Sequence, residues 1–345
     1  MTDFLPPLPE IAADSADPRL QALASWLLTQ PQTASAQLRP ASGDASFRRY
    51  FRLHHADGTL IAMDAPPERE NVDAFVRIQR LLADAGLRVP HIHACDSQQG
   101  FMLLQDLGMK SYLDALQDDN AAILYAAALD SIAQMQSRIT ALDTLPCYDE
   151  ALLRREIGVF GEWCLERWLG LTDLRKNAAL ERTWTLLTDS ALEQPRVFVH
   201  RDFHSRNLMI SPDGAPGILD FQDAVAGPLT YDLVSLLRDC YIAWPEQAVT
   251  HQAMQFQQRL ACQGVIRDDW PLFQRWMDWM GVQRHLKATG IFCRLSLRDG
   301  KHGYLGDIPR TLDYIIAVCR RYPELQALET LLRQRVAPHF ERYRP

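Results

Sequence analysis

Residues 197–223 read VFVHRDFHSRNLMISPDGAPGILDFQD, and the rest of the chain is best understood outward from them. Val197–Val199 is a β-branched and aromatic run ending in a polar loop, His200 to Arg206. Asn207–Ser211 and Pro216–Leu219 then flank Asp213-Gly214, a dipeptide that favours a hairpin turn. With 213 and 214 as a two-residue loop, directly opposed positions sum to 427, which sets Asn207 against Asp220. Two oxygen-bearing side chains at the open end of a hairpin can share a divalent ion, because opposed β-carbons lie ~5 Å apart. Mg²⁺ takes few protein ligands and leaves other positions to nucleotide phosphates. Asp202, on the loop before Asn207, is placed to accept a hydroxyl proton.

HxDxxxxN followed by DF is the order of a kinase centre: base, metal-binding amide, metal-binding carboxylate. A surface hairpin rich in Asp and Asn would use the same residue types, since both favour turns. Such a hairpin would not require three elements at these spacings after a strand. Beyond Asp220 the chain lacks an APE element and proceeds almost directly to a helix carrying Asp232, leaving no long platform for a protein substrate. A small-molecule acceptor follows.

Upstream, the texture changes near residue 105. Asp17-Pro18 opens a helix through about Leu28. Strand-like runs occupy Phe47–Leu53, Thr59–Met63, His91–Cys95 and Phe101–Leu104, and a helix with apolar positions from Val72 to Leu82 ends at Gly86. Five strands and a helix, then a mostly helical remainder, predict an α+β bilobal kinase-like fold. Its expected parts are an N-terminal nucleotide-binding lobe, residues 1–105, and a C-terminal catalytic and substrate-binding lobe, residues 106–345. Gln105-Asp106-Leu107 forms the joint and offers backbone groups to adenine, although an ordinary linker would look similar.

The stretches HRDFHSRNLM, GILDFQDA and GPLTYDLVSLL resemble the aminoglycoside phosphotransferase and choline-kinase superfamily. That resemblance implies ATP and Mg²⁺ as cofactors, Asp202 as base, and Asn207 and Asp220 as metal ligands. It also implies Asp232 as a brace for the loop near His200, and His204 as the second histidine of the loop. GDASFRRYFRL, MDAPPE and QRHLKATGIFCRLSLRDGKHGYLGDIP are further similar to the anomeric amino-sugar kinases of bacterial cell-wall recycling, which phosphorylate the C1 hydroxyl of N-acetylmuramate and N-acetylglucosamine. On that resemblance, Gly43-Asp44-Ala45-Ser46 is the loop over the ATP phosphates, and His204, Arg206, Arg294 and Lys301 are candidate contacts to the sugar.

One departure matters. Such kinases carry a lysine on the third strand, where this chain has Met63 and Asp64, and its four lysines (110, 176, 287, 301) all lie later. The missing cation is expected from Arg48 or Arg52, with Lys287 or Lys301 as fallbacks. A nucleotide-binding scaffold without turnover, or a kinase of another small alcohol, are the alternatives.

The remaining features set limits. A net charge of −7 argues against nucleic acid. No apolar run of ~18 residues exists to cross a membrane, and the N-terminus lacks the basic and apolar regions of a signal peptide. Seven scattered cysteines without CxxC suggest reduced thiols and a cytoplasmic setting. No obligate protein partner is evident. His91 and His93 form an HxH without a third ligand, and the Trp270, Trp276 and Trp279 stripe reads as helix core.

Overall fold

The computed structural model describes residues 5–33, 36–42, 47–55, 58–117, 119–212, 214–267 and 269–344. The chain forms two compact units: residues 1–110 with 209–213 and 217–222, and residues 111–208 with 214–216 and 223–345. The first unit therefore runs beyond residue 105 and takes in Asp220, which the sequence division assigned to the C-terminal lobe.

The first unit opens with α1 (Leu8–Asp14) and α2 (Pro18–Leu27). Asp17 caps α2 by accepting the Arg19 and Leu20 N–H groups at 2.9 and 3.1 Å, and Pro18 fits the first turn because its missing N–H would be unpaired anyway. The strands β1 (Gln37–Ser42), β2 (Arg49–His55), β3 (Gly58–Asp64), β4 (Ile92–Asp96) and β5 (Phe101–Gln105) form one antiparallel sheet, ordered β1-β2-β3-β5-β4. Pro40 sits on the edge strand β1 beside a shift in register, where its lost donor costs least. Phe51, Leu53, Leu60, Ala62, Phe101 and Leu103 bury one face against α1 and α2. Between β3 and β4 runs α3 (Val72–Asp84), capped by Asn71 and closed by Gly86 at φ +82°.

Phe47 departs from expectation. The strand-like run of the sequence starts at Phe47, but β2 begins two residues later and Phe47 is 58% exposed. Its ring instead carries the Arg69 guanidinium at 4.8 Å.

Later in the chain come α4 (Tyr112–Ala115), α5 (Ala121–Arg138), α6 (Glu150–Val159) and α7 (Ala178–Leu192). A π-helical segment, Phe160–Trp168, continues α6. Four short strands follow: β6 (Arg196–Val199), β7 (Leu208–Met209), β8 (Gly217–Ile218) and β9 (Val225–Pro228). β6 pairs with β9 and β7 with β8, as the hairpin reading requires; Asp213 of the turn lies outside the described residues. The helices α8 (Tyr231–Leu237), α9 (Glu246–Cys262), α10 (Trp270–Asp299) and α11 (Ile308–Cys319) complete the main frame.

The 30-residue α10 is the axis of the second unit, packing on α6, α7, α8, α11 and the π-helical segment. Trp276 and Trp279 are buried in it as core residues. Gly290 is required for close approach: a Cβ there would stand 2.6 Å from the backbone of Val159 and Phe160. All seven cysteines are free thiols, four of them buried. No helix among the described residues is long and apolar enough to cross a membrane.

Candidate active site

In the second unit, strand β6 delivers the chain into the 200–207 loop, and the loop is held from several directions. Asp232, fully buried at the start of α8, accepts the His200 N–H at 2.7 Å and the Arg201 N–H at 3.0 Å. Burial pushes its carboxyl up to about 7, although both N–H groups favour the anion. The His200 ring Nδ1 accepts the Asp202 N–H at 3.3 Å. Asn207 turns its Nδ2 onto the Asp202 carbonyl at 2.9 Å, which leaves its Oδ1 as the acceptor end. Asp239 accepts from both the Ser205 N–H, at 2.9 Å, and its hydroxyl, at 2.5 Å.

Arg201, immediately before Asp202, is at φ +78°, a region that side chains with a Cβ rarely adopt. Such strain persists only where the surroundings over-determine it, and here they do. Besides its N–H bond to Asp232, its guanidinium reaches Glu156 of α6 at 2.5 Å. Glu156 also pairs with Lys287 of α10 at 3.0 Å and accepts the Tyr148 hydroxyl. Lys287 in turn donates to the Tyr231 hydroxyl at 3.1 Å. Burial alone would raise Asp202, but Lys287, then His204, Arg201 and Arg284, hold it down at about 2. Asp202 is thus an ionised carboxylate beside neutral or cationic groups. Burial lowers the His204 imidazole, which stacks edge-on against Tyr241. Exposed Arg206 lies over the same tyrosine at 3.8 Å and over Tyr304 at 5.3 Å.

In the first unit, Asp220 is also left-handed, at φ +60°. Its carboxylate takes Arg48 Nη2 at 3.0 Å and Gln222 Nε2 at 2.8 Å, and Phe221 beside it packs at a tilt against Phe75. Arg48 is 8% exposed and reaches Glu70 as well, at 3.7 Å. Arg52 is engaged differently: its fork grips both carboxylate oxygens of Asp106, at 2.5 and 3.1 Å, and the Gly108 carbonyl at 2.9 Å. Burial works to raise Asp106, but Arg52, Thr59 and the Gly108 N–H together hold it below the usual range. At the joint, the Gln105 N–H bonds the His91 carbonyl at 2.8 Å, and Leu107 lies over Gly217, where a Cβ would stand 3.0 Å from it.

The third-strand position has its own logic. Asp64 is fully buried and lies opposite Arg49 in the β2–β3 register. Arg49 binds it at 2.6 and 2.9 Å, and Arg19 of α2 binds its other oxygen. Arg49 also pairs with the helix-capping Asp17, so two acids and two arginines form one structural ion-pair network. Gly43, Asp44, Ala45 and Ser46 lie outside the described residues.

The loop residues Asp202, His204 and Asn207 gather with Arg284 and Lys287, whereas Arg294 and Lys301 have other surroundings. Arg294 sits among Arg298, Asp299 and Glu162, and Lys301 acts on Asp299. Neither is among the groups that set Asp202 or His204. The sequence reading missed Glu156 and Asp239. A signal existed for Asp239, an acid seven residues after Asp232 at the end of the mostly apolar stretch LVSLLR, but Glu156 sits in LLRREIGVF among other charges and gives none. His91 and His93 pack edge to face, and no cluster of three His, Cys, Asp or Glu able to hold a metal occurs among the described residues.

A kinase-like β-sheet unit and a helical unit with a doubly braced HxDxHxxN loop define a phosphotransferase of the small-molecule kind. Residues 37–271 match the model of the phosphotransferase enzyme family (aminoglycoside phosphotransferase type), and this chain belongs to that family. A protein from Pseudomonas putida named N-acetylmuramate/N-acetylglucosamine kinase is 47% identical over 329 residues, covering 92% of this chain and 96% of its own. One of the same name from Neisseria meningitidis is 41% identical, covering 90% of this chain and 94% of its own. Among solved structures, a Plasmodium vivax ethanolamine kinase superposes with a TM-score of 0.62 at 11% identity, over 93% of this chain and 94% of that one. The choline kinase of Streptococcus pneumoniae gives 0.58 at 12% identity, over 86% and 98%. These last likenesses are of fold.

Proposed function

We propose that this chain transfers the γ-phosphoryl group of ATP to the anomeric C1 hydroxyl of N-acetylmuramate and N-acetylglucosamine, yielding sugar 1-phosphates for the cytoplasmic recycling of peptidoglycan. The observation that carries the reading is the loop around Asp202, whose neighbours His200, Arg201 and Ser205 are pinned by Asp232, Glu156 and Asp239. The relatives of that name, aligned over nine-tenths of the chain, support the choice of acceptor.

The first unit is assigned the nucleotide and the second the base and the sugar. Asp202 orients the C1 hydroxyl and takes its proton as the new O–P bond forms; the anomeric hydroxyl is the most acidic of the sugar and suits a carboxylate base. Asn207, whose amide oxygen is left as an acceptor, and Asp220, a carboxylate, each have the kind of hard oxygen that Mg²⁺ takes from protein and are the residues assigned to it. When bound, Mg²⁺ supplies neutralisation of phosphate charge. Arg48, already beside Asp220, is the cation assigned to the phosphates in place of the lysine. Arg52 serves Asp106, whose carbonyl and the Leu107 N–H are the backbone groups left for adenine.

ADP release over a panel of amino sugars, aminoglycosides and choline tests the acceptor class. With either N-acetylated sugar the product should be an acid-labile phosphate coupled to H1 by NMR, and the methyl glycoside should not react. Phosphate on O6, or turnover of choline or aminoglycosides alone, refutes the assignment.

A further inference from the structure

Among the described residues, three arginines are almost wholly buried, and one differs from the others. Arg48 meets Asp220 and Glu70, and Arg238 meets Asp278 at 2.8 Å and Glu246 at 3.1 Å. Arg284 of α10 is 6% exposed and has no carboxylate within ion-pair distance among the described residues. One terminal nitrogen approaches the Cys240 sulfur at 3.6 Å, a weak acceptor, and its buried Nε has no hydrogen-bond partner. A buried guanidinium normally brings its counter-ion with it, because an unpaired charge is costly to desolvate. Here no carboxylate touches it, and Asp202 and Asp239 act on it only from a distance. Arg284 lies close enough to Asp202 and His204 to act on both electrostatically, and Cys240 follows Asp239, the residue that ties down Ser205. The buried Nδ1 of His204 is likewise without a partner.

We infer that Arg284 receives the carboxylate of the acceptor's lactyl ether, and so makes the acidic amino sugar the better substrate of the second unit. The inference rests on the acceptor class proposed above. N-acetylmuramate differs from N-acetylglucosamine by that ether-linked acid, and a planar guanidinium with idle donors binds a carboxylate in two parallel hydrogen bonds. Arg206, stacked and exposed on Tyr241, flanks the same loop and gives an incoming anion a cationic approach.

The experiment compares kcat/KM for N-acetylmuramate, its methyl ester and N-acetylglucosamine. Wild type should prefer the acid to its ester by ~10- to 100-fold, the worth of a charge-assisted contact at a buried site. Arg284→Gln should collapse that preference, on top of any loss common to both sugars that comes from its action on Asp202, and Arg284→Lys should keep part of it. Should Arg284→Gln fail to fold, the acid-to-ester ratio of wild type and of Arg284→Lys decides. Equal turnover of acid and ester by wild type overturns the inference. So does an equal loss for both sugars with a raised KM for ATP, which would assign Arg284 to the phosphates. Retention of the ratio in Arg284 variants with its loss in Arg206→Gln overturns it too, placing the carboxylate on the exposed arginine. If neither sugar is phosphorylated at all, the acceptor class itself is wrong, a separate result.

Discussion

Replacing Glu156 with glutamine keeps the shape of the α6 side chain and removes one charge, from a carboxylate whose side chain is 6% exposed. The two cations it balances are nearly as deep, Arg201 at 19% and Lys287 at 12%. Deleting one member of a buried ion set leaves the others uncompensated and costs about 3–5 kcal/mol. Glutamine still offers one oxygen to one cation, and both cations retain slight access to water, so a loss of about 3 kcal/mol is expected. For a unit of this size, each kcal/mol moves Tm by roughly 2–4 °C, giving a drop of roughly 6–12 °C. Urea unfolding with a probe in the second unit measures it, provided the slope with denaturant is unchanged. The double variant Glu156→Gln, Lys287→Met should lose less than the sum of the two single variants, because the orphaned ammonium is gone. Turnover should also fall, since Arg201 carries the strained backbone next to Asp202. A loss below about 1 kcal/mol, or strict additivity in the double variant, would show that the three side chains behave as a solvated surface cluster, and the bracing of the loop would need another source.

Asp202→Asn should leave the fold and ATP binding intact and lower kcat by ~10²–10⁴, the worth of a positioned base; near-normal turnover would reassign that role. Arg48→Ala should lose tenfold or more in kcat/KM for ATP, about 1.4 kcal/mol, and, because Arg48 also balances Glu70 and Asp220, some thermal stability as well. Arg52→Ala should instead disturb the Asp106 joint, visible as a KM effect for ATP without change in the sugar KM. Gly290→Ala places a methyl into the Val159–Phe160 backbone and should destabilise by roughly 1–3 kcal/mol, measured by thermal unfolding; a neutral result would mean α10 can shift away from the π-helical segment.

The sequence alone determined the architecture and the order of the chemistry. Local signals did this: Asp17-Pro18 and Asn71 start helices, alternation marks β2, β3 and β5, and HRDFHSRN with LDF sets in order the residues proposed as base and metal ligands. Those features act over a few residues and can be read without a partner. The strand-like run did mislead at Phe47, because such a run alone does not say where a strand begins. The tertiary structure decided the pairings. That Asp64 closes with Arg19 and Arg49, that Arg48 goes to Asp220 while Arg52 goes to Asp106, and that Glu156 reaches Arg201 and Lys287 depends on elements up to 172 residues apart in the chain. Ion pairs carry no periodicity and no spacing rule, and any of these arginines could have been a solvated surface charge. The same holds for Arg284, whose want of a carboxylate in contact exists only once α10 has been laid behind the loop.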